Sequence, residues 1–473
     1  MDGEQLVGVS AIELAQLIVA KELSPVEAMR WYLDRIDRLD PQLSSYITVC
    51  RREALQSALK AEQAVVRGDS LGPLHGVPLG VKDQFETKGI PTTAGSRILA
   101  DNVPDEDATV VARLKEAGAI VIGKQNMTAF ASGLGDRFQY GDPRNPWDLR
   151  RTASGSSTGS AIAVSASLCA ISLGEDTGGS IRLPAALTGI VGLRPSWGLV
   201  SRHGILPVCW SMDTAGPMTR TVADAALVME VIAGHDRKDP LTAGFPVPKY
   251  TEELSGSLEG LSFGVLCELT DQRFVDAEVL RAVEMAVKEI ENLGAVVKRV
   301  SLPLVAEIEP VTEILCGSSA AFLHQELLRT RPGDLGPSRR RRLLAGSLIP
   351  AQTLEKATRA RAIFRQEWQK LFLRFDGLLS PTTVSPAVFA EDEQIGDITS
   401  RDEAEERFIW HRSPTMGAAL AGTPAITVPC GFNSENLPIG LQIMTDRFQE
   451  ALMFKAAYAY EQTTLWHERR PDV

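Results

Sequence analysis

The chain has 473 residues, of which 44% are hydrophobic and 23% are charged, and its formal net charge is −11. This is ordinary globular composition, so the chain is long enough to bury a sizeable core in one large α/β domain or in two to three smaller ones. A net negative charge repels a polyphosphate backbone and argues against nucleic acid as a partner, and the one basic cluster, Arg339–Arg342, reads as a solvated helix face.

The cysteines and the N-terminus indicate the compartment. Six cysteines are widely scattered without a CxxC pair, so we expect buried free thiols in a reducing environment. The first residues, MDGEQLVGVSAIE, lack the basic and apolar regions of a secretory signal, and no apolar run reaches membrane-spanning length. The sequence therefore predicts a cytoplasmic protein without a membrane partner.

Three helices are predicted at the start of the chain. Ser10 and Glu13 form a candidate capping box, and Ser24-Pro25-Val26-Glu27 repeats the pattern with proline at the first helical position. Arg51–Arg67 is the third candidate helix. The apolar stripes of the first two helices predict that they pack on the main body of the protein.

A lysine follows the first predicted strand. Leu79–Val81 is a short apolar strand that places Lys82 at its end, after a segment punctuated by glycine and proline. Burial at such a position would lower the pKa of the lysine amine, because desolvation disfavours the charged form. A neutral amine is a competent proton acceptor.

Strand and helix signals alternate along the rest of the chain, apart from a Pro- and Gly-rich stretch between His235 and Leu261 and an acidic loop, Glu391–Glu406. The alternation predicts an α/β fold with a central mixed, mostly parallel, twisted sheet covered by helices on both faces. We predict a single domain over residues 1–473, with helices in 1–67 packed on a core of about 71–233 and 262–465. The predicted strands are Ala119–Ile122, Leu168–Leu173, Ser262–Cys267, Ala295–Val300, Gly377–Leu379, Ala425–Val428 and Ile439–Met444, and the predicted helices are Thr109–Ala117, Ala161–Ser167, Thr221–Ala233, Asp276–Leu293, Val311–Arg329, Thr353–Phe375 and Glu450–Thr463.

Two runs of small residues, Ser154–Ser160 and Gly174–Ser180, flank an uncharged segment. Closely spaced glycines let backbone N–H groups converge on one point, because no Cβ obstructs the approach. Serines among such donors indicate a nucleophile beside an oxyanion hole.

Three serine mechanisms compete for these residues. The run Gly155–Gly159 satisfies the G-x-S-x-G pattern of a nucleophile elbow, but polar, loop-like residues precede it and no histidine lies in a recognisable motif. Ser57–Lys60 has the S-x-x-K spacing of penicillin-recognising enzymes, but it lies in a charged helix and has no S-D-N or K-T-G partner. The third arrangement uses two serines and a lysine, and the whole pattern fits it.

Ser156, the run Asp176–Pro184 and the segment Gly76–Lys82 together resemble the amidase signature family. The resemblance extends from about Leu71 to Ala233 and resumes at Ala418–Gly440, in the order of the family. It implies hydrolysis of a linear carbon–nitrogen amide bond by a serine-type amidase, without a metal or cofactor. Carbamates and esters fit the same chemistry, since acyl transfer to serine needs only a carbonyl and a leaving group.

The resemblance implies a role for each catalytic side chain. Ser180 would be the acylating nucleophile, and Ser156, held in the family by a cis peptide bond, would relay the proton. Lys82, entering neutral, would accept that proton and return it to the leaving amine. Supporting roles fall to Ser157, Asp176 and Arg182, and the oxyanion would bind the backbone N–H groups of Thr177, Gly178, Gly179 and Ser180.

The first small-residue run departs from the family pattern. Ser154 and Thr158 stand where the usual Gly-Gly-Ser-Ser-Gly-Gly has glycines. Positive φ angles are less easily reached by these residues, so the loop geometry is expected to differ there.

The resemblance also suggests the substrate pocket, which favours a small uncharged aryl or alkyl amide over a dicarboxylate. One alternative is the glutaminase-type A subunit of a tRNA-dependent amidotransferase, which passes ammonia to a partner protein; the loops Met127–Tyr140 and Phe408–Pro414 look unlike those of that enzyme. Another is a non-catalytic amidase-like binding scaffold. A homodimer is the common outcome for soluble enzymes. The predicted pocket residues are Ala131, Ser132, Gly133, Leu134, Cys209, Trp210, Trp410 and Met416.

Overall fold

One eleven-stranded sheet organises the fold. The structure, a computed structural model, describes residues 6–131, 138–392, 400 and 413–473. The strands are β1 (Tyr46–Val49), β2 (Pro78–Lys82), β3 (Ile120–Gln125), β4 (Ile171–Asp176), β5 (Val191–Arg194), β6 (Thr214–Thr219), β7 (Ser262–Leu266), β8 (Val296–Val300), β9 (Gly377–Pro381), β10 (Ala425–Phe432) and β11 (Pro438–Met444). Their order across the sheet is β1-β3-β2-β4-β6-β5-β10-β11-β9-β7-β8.

The sheet is mixed, as predicted, but its pairings are not mostly parallel. Of the ten pairings in the described chain, six are antiparallel and four are parallel. The parallel pairs are β2 with β3 and β4, and β7 with β8 and β9. Parallel neighbours need a long crossover, whereas a short connection such as that between β10 and β11 makes an antiparallel hairpin. The centre of the sheet, from β4 to β9, is therefore antiparallel.

Strands β5 and β6 were not predicted, and they account for three of the antiparallel pairings. Their sequences, VGLR and TAGPMT, are short and contain glycine or proline, which are depleted in strands. Both strands are nonetheless fully buried, because they lie in the middle of the sheet. Tertiary packing overrides local propensity here.

Helices pack on both faces of the sheet. Most predicted helices are present with shifted ends, while the predicted helix over 311–329 is divided in two near His324. The helices of the described chain are α1 (Ala11–Val19), α2 (Pro25–Leu43), α3 (Arg51–Arg67), α4 (Thr109–Glu116), α5 (Thr158–Ser165), α6 (Arg182–Thr188), α7 (Val222–Ile232), α8 (Ala277–Asn292), α9 (Ile308–Leu323), α10 (Gln325–Thr330), α11 (Pro337–Ser347), α12 (Ala351–Phe372), α13 (Ser413–Ala421) and α14 (Glu450–Glu461).

Both predicted N-cap serines are present, and of these two helices only α2 has the reciprocal capping box. Ser24 and Glu27 form a reciprocal capping box at the start of α2, with Pro25 in the first turn. At α1 the hydroxyl of Ser10 accepts a hydrogen bond from the N–H of Glu13. Helix α1 contacts α7, so the N-terminal segment lies against the body of the protein.

The C-terminal hairpin lies between two blocks of strands from earlier parts of the sequence. Strand β10 lies beside β5, and β11 lies beside β9, so the C-terminal hairpin joins the two sequence segments on either side of residues 235–261. That Pro- and Gly-rich stretch is anchored, since Tyr250 is buried and its ring centroid lies 5.3 Å from that of Phe454. No helix in the described residues is long and apolar enough to cross a membrane.

Candidate active site

Strand β2 delivers Lys82 to the buried centre of the molecule. The side chain has no solvent exposure, and its Nζ has three oxygen neighbours. Ser156 Oγ lies at 2.9 Å, the carbonyl oxygen of Glu175 at 3.2 Å and Glu175 Oε2 also at 3.2 Å. Parallel pairing of β2 with β4 places the lysine beside the C-terminal end of β4, which carries Glu175.

Burial shifts the pKa values of Lys82 and Glu175 in the directions that favour the neutral form of each side chain. Desolvation lowers the pKa of Lys82, although the nearby carboxylate of Glu175 opposes the shift. Desolvation also raises the pKa of Glu175 to about 7, with Lys82 opposing it and Asp213 adding to it. The amine that the sequence predicts to enter neutral therefore lies where a charge is disfavoured.

The first small-residue run forms a tight loop before α5. The peptide bond between Gly155 and Ser156 is cis, as the resemblance implies. Ser154, in a position where the family has glycine, adopts a left-handed φ of 56°. Thr158 begins α5, and its hydroxyl donates a 2.5 Å hydrogen bond to the carbonyl oxygen of Ser154. Only Ser154 of the two replacements needs the backbone conformation that glycine adopts freely.

Ser180 lies two residues before α6 and lines a cavity together with Thr177 and Gly178. Ser180 is partly exposed, whereas Ser156 is buried at 3% exposure. The lysine–serine link, from Lys82 to Ser156, is thus formed, but no hydrogen bond joins the hydroxyls of Ser156 and Ser180 in the described chain. Catalytic hydrogen bonds are often long before substrate binds.

Three of the four predicted oxyanion donors have no hydrogen-bond acceptor among the described residues. In the described part of the chain, the N–H groups of Thr177, Gly178 and Ser180 donate to no other group. The N–H of Gly179 differs, because it donates a 2.8 Å hydrogen bond to Asp176 Oδ1. That N–H is therefore committed to holding the loop, and the prediction for Gly179 is corrected on this point. Its φ of 128° turns the peptide toward the carboxylate.

Asp176 and Arg182, which were predicted to have supporting roles, form a buried ion pair. Two hydrogen bonds of 3.0 Å join them, and Arg194 reaches the same carboxylate at 3.1 Å. All three side chains are fully buried. Burial alone would raise the pKa of Asp176, but the charges of Arg182 and Arg194 hold it well below its usual range. The charged cluster fixes the loop that carries Ser180.

Ser157 joins the two small-residue runs. Its N–H donates a 3.1 Å hydrogen bond to the carbonyl oxygen of Ser180. Its hydroxyl donates a 3.1 Å hydrogen bond to the carbonyl oxygen of Glu175. The supporting role predicted for Ser157 is consistent with these contacts.

The predicted pocket residues divide into three groups. Ala131 and Met416 line the cavity beside Ser180, as does Val208. Trp210 does not, because its side chain is 60% exposed and lies in a separate groove next to Trp197. Cys209 is buried behind the cavity wall against Met212, Ala419 and Cys316, so its prediction is also corrected. Ser132, Gly133, Leu134 and Trp410 lie outside the described residues.

Helices α9 and α11 supply cavity residues that the sequence did not reveal. On α11 the basic cluster turns partly inward: Arg339 is 4% exposed and Arg342 pairs with Glu313 of α9 at 3.0 Å. The expectation of a solvated face is therefore wrong for these two arginines, because α11 packs against α9. The cavity is also lined by Phe130, Thr312, Cys316, Ala320, His324 and Leu343.

Glu175 is a site residue that sequence reasoning passed over, although a signal was present. A glutamate directly before Asp176, inside a run of small residues, adds a second charge at the end of an otherwise uncharged strand. Charged residues are almost never fully buried unless they are paired. Among the described residues, no group of three or more His, Cys, Asp or Glu side chains is arranged to hold a metal ion.

Comparisons with known proteins identify the family and similar folds. The family model described as Amidase matches residues 27–454. The A subunit of glutamyl-tRNA(Gln) amidotransferase from Moorella thermoacetica is 38% identical, over 99% of this chain and 99% of that protein. The structure of native peptide amidase from Stenotrophomonas maltophilia is 33% identical and covers 98% of both chains with a TM-score of 0.84. A bacterial aryl acylamidase of the amidase signature family is 27% identical, with a TM-score of 0.87 over 97% of this chain and 98% of its own.

Proposed function

The chain belongs to the amidase family, and from this premise we propose that it hydrolyses a carbon–nitrogen amide bond through an acyl-Ser180 intermediate. The observation that carries the proposal is the 2.9 Å contact between Lys82 Nζ and Ser156 Oγ, next to Ser157, whose N–H holds the carbonyl oxygen of Ser180. A buried amine with a lowered pKa is a suitable general base at neutral pH.

The reaction begins when Ser180 Oγ attacks the carbonyl carbon of the amide. The proton of Ser180 passes to Ser156 Oγ, while the proton of Ser156 passes to Lys82 Nζ. For this step the hydroxyl of Ser180 turns toward Ser156 as substrate enters. The ammonium formed at Lys82 then returns its proton through Ser156 to the leaving nitrogen, and water hydrolyses the acyl-enzyme by the same relay.

The negative oxygen of the tetrahedral intermediate would lie against the open N–H groups of Thr177, Gly178 and Ser180. Preorganised donors of this kind each contribute about 3 kcal/mol of transition-state stabilisation. A side chain at Gly178 would obstruct the approach, since a Cβ there would lie 2.8 Å from the sulfur of Met416. The glycine therefore leaves room for the oxyanion.

For the substrate, we propose a small uncharged aryl or alkyl amide, with carbamates and esters as further candidates. Phe130, Val208, Leu343 and Met416 form an apolar part of the cavity wall. Apolar walls with a few fixed polar groups favour uncharged ligands. The resemblance to a peptide amidase and an aryl acylamidase supports this choice.

A second candidate is the glutaminase-type A subunit of an amidotransferase, and the curated relatives favour it over the first. They are full-length matches that carry this name. The cavity also offers the Glu313–Arg342 ion pair, whose charges complement the ammonium and carboxylate of an amino acid such as glutamine. A protein of this kind would act with a partner chain.

One panel assay separates these candidates. Ammonia or amine release by the purified chain is measured with an anilide, an arylacetamide, a short aliphatic amide, a carbamate and glutamine, with Ser180→Ala as the control. Turnover of uncharged amides by the chain alone supports the first candidate. Glutamine as the sole substrate, together with a second chain that co-purifies, supports the second. Absence of all turnover, with no labelling of Ser180 by a fluorophosphonate, would contradict the proposal and indicate a binding scaffold.

A further inference from the structure

The hydroxyl of Thr177 lies between two carboxyl groups. Its Oγ1 is 2.7 Å from Glu175 Oε1 and 2.7 Å from Asp213 Oδ1. A hydroxyl carries one hydrogen and can donate it to only one of these oxygens. The other contact is a hydrogen bond only if that carboxyl group carries a hydrogen itself. One of the two carboxyls is therefore protonated in this arrangement.

The surroundings identify Glu175 as the protonated group. Both oxygens of Asp213 accept hydrogen bonds of 2.9 Å from the N–H groups of Val208 and Cys209, so a hydrogen on either oxygen would face an N–H donor. The carboxyl of Glu175 is fully buried, and in the described chain no backbone N–H donates to it. Thr177 thus donates to Asp213 and accepts from Glu175 Oε1. The raised pKa of Glu175 agrees with this assignment.

The contacts of Lys82 complete the count of hydrogens. A neutral amine has two hydrogens and one lone pair, and Lys82 Nζ has three partners. The two hydrogens serve the carbonyl oxygen of Glu175 and Oε2, which is the carbonyl oxygen of its neutral carboxyl. The lone pair then faces the hydroxyl of Ser156. This is the geometry that a proton acceptor needs.

We propose that Glu175 is a positioning residue, whose neutral carboxyl, held by Thr177 and Asp213, keeps Lys82 uncharged and directs its lone pair at Ser156. The inference rests on the proposed function, in which Lys82 is the base. The opposite distribution, an ammonium beside a carboxylate, leaves one of the two 2.7 Å contacts of Thr177 Oγ1 without a hydrogen between the oxygens. Two oxygen lone pairs at that distance repel each other, so the neutral pair is preferred.

The charged groups around this pair come from several elements. Asp213 lies in the loop before β6, and Asp176 is on β4 next to Glu175. Arg194 at the end of β5 and Arg182 on α6 neutralise Asp176 through direct hydrogen bonds. Asp213 is therefore the nearby carboxylate whose hydrogen bonds can be changed without breaking the arginine cluster.

The test measures the rate at which a fluorophosphonate labels Ser180 as a function of pH, by mass spectrometry of the intact protein. Glu175→Gln preserves the pattern of hydrogen bonds around Lys82, because the amide oxygen accepts a hydrogen bond from Lys82 and the amide nitrogen donates one to Thr177. The acid limb of this variant, the fall of the labelling rate at low pH, should stay within about half a pH unit of wild type. Its plateau rate should be reduced by up to about tenfold. Glu175→Ala, which removes the partner, should lower the plateau by more than about a hundredfold.

Asp213→Asn should shift the acid limb. The carbonyl of the new amide must face the N–H groups of Val208 and Cys209, so its nitrogen donates to Thr177 Oγ1. The hydrogen of Thr177 then turns to Glu175, favours the carboxylate and keeps Lys82 protonated. We expect the acid limb to move up by about one pH unit. Simple loss of a negative charge would move the limb down, so an unchanged or lowered limb overturns the proposal.

A buried glutamate far from the site provides the matched control. Glu461 also has a pKa raised by burial, to about 8, and accepts a hydrogen bond from the N–H of Val222. Glu461→Gln should leave the pH profile unchanged. A downward shift of the acid limb by more than about one pH unit in Glu175→Gln would indicate an ion pair and overturn the proposal.

Infrared difference spectroscopy separates this inference from the proposed function. The spectrum of Glu175→Gln is subtracted from that of wild type at about pH 6. A carboxylic acid C=O band in this difference spectrum reports the protonation of Glu175 without any turnover. A C=O band supports the inference even if Ser180 of the wild type is not labelled and no amide is turned over. That outcome would reject only the proposed function. Absence of the band overturns the inference, whatever the activity.

Discussion

The N–H of Ser157 donates a 3.1 Å hydrogen bond to the carbonyl oxygen of Ser180, so the residue after the proposed relay serine holds the backbone of the proposed nucleophile. The hydroxyl of Ser157 adds a second link, to the carbonyl oxygen of Glu175. One buried residue thus sets the distance between the two small-residue runs.

Ser157→Ala keeps the backbone link and removes the hydroxyl link. We expect a loss of about 1 kcal/mol in the free energy of unfolding, the typical contribution of one buried hydrogen bond. The rate of amide hydrolysis should fall far less than in Ser156→Ala, because Ser157 moves no proton. Urea unfolding and kcat/KM measure the two effects. A Ser157→Ala variant as inactive as Ser156→Ala would place Ser157 in the relay.

Ser180→Ala and Ser156→Ala should differ in how much acylation and fluorophosphonate labelling they lose. Removing the nucleophile abolishes acylation and fluorophosphonate labelling. Removing the relay should slow both by about 10²–10⁴-fold, the usual contribution of general acid–base catalysis, and leave residual labelling. Labelling kinetics distinguish the two variants, and circular dichroism checks that each is folded. Equal labelling in Ser156→Ala and wild type would exclude the relay.

Lys82→Met should abolish turnover and raise the free energy of unfolding. Burial lowers the pKa of Lys82 in the folded state, while the unfolded lysine titrates at about 10.4. Below that pH the unfolded chain binds the proton more tightly than the folded one, so the lysine destabilises the fold increasingly as the pH falls toward the folded pKa. The advantage of methionine should grow in the same direction. Thermal unfolding from about pH 9 to about pH 6 tests this, and a lower stability of the variant throughout would contradict it.

Asp176→Asn should destabilise the protein by about 3–5 kcal/mol, because it leaves two buried arginines without their carboxylate. The folded pKa of Asp176 is lowered, so its contribution is present above the unfolded pKa of about 3.9 and is lost as the pH falls through the folded value. The difference between wild type and variant should therefore shrink below about pH 4. Denaturant midpoints across the acid range check the sign.

Gly179→Ala should impair both folding and activity. Its φ is 128°, and a Cβ would lie 2.3 Å from Thr415 Oγ1. Gly68→Ala is the matched control, since Gly68 has a φ of 76° with open space around its Cβ. The control should lose about 1 kcal/mol of stability from backbone strain alone and keep full activity. If Gly179→Ala and Gly68→Ala lose the same stability and activity, the close contact with Thr415 makes no contribution of its own.

The amino-acid sequence alone was sufficient to predict a mixed α/β fold and to select Lys82, Ser156 and Ser180, on which the proposed chemistry depends. Glycine, serine and a lysine after an apolar strand are local features, and their chemistry depends on residue type and spacing. For the same reason the helix caps at Ser10 and Ser24 could be predicted. The antiparallel centre of the sheet could not, because β5 and β6 are strands by burial rather than by propensity.

Only the tertiary structure decided the surroundings of the predicted side chains. It placed Glu175 against Lys82, ninety-three positions away in the chain, and brought Asp213 to Thr177. It also turned Trp210 to solvent and Arg339 inward. Such contacts join segments that are distant in sequence, so they depend on how helices pack on the sheet, and no local pattern encodes them. Burial then decides which groups are neutral, because desolvation exists only once the chain is folded.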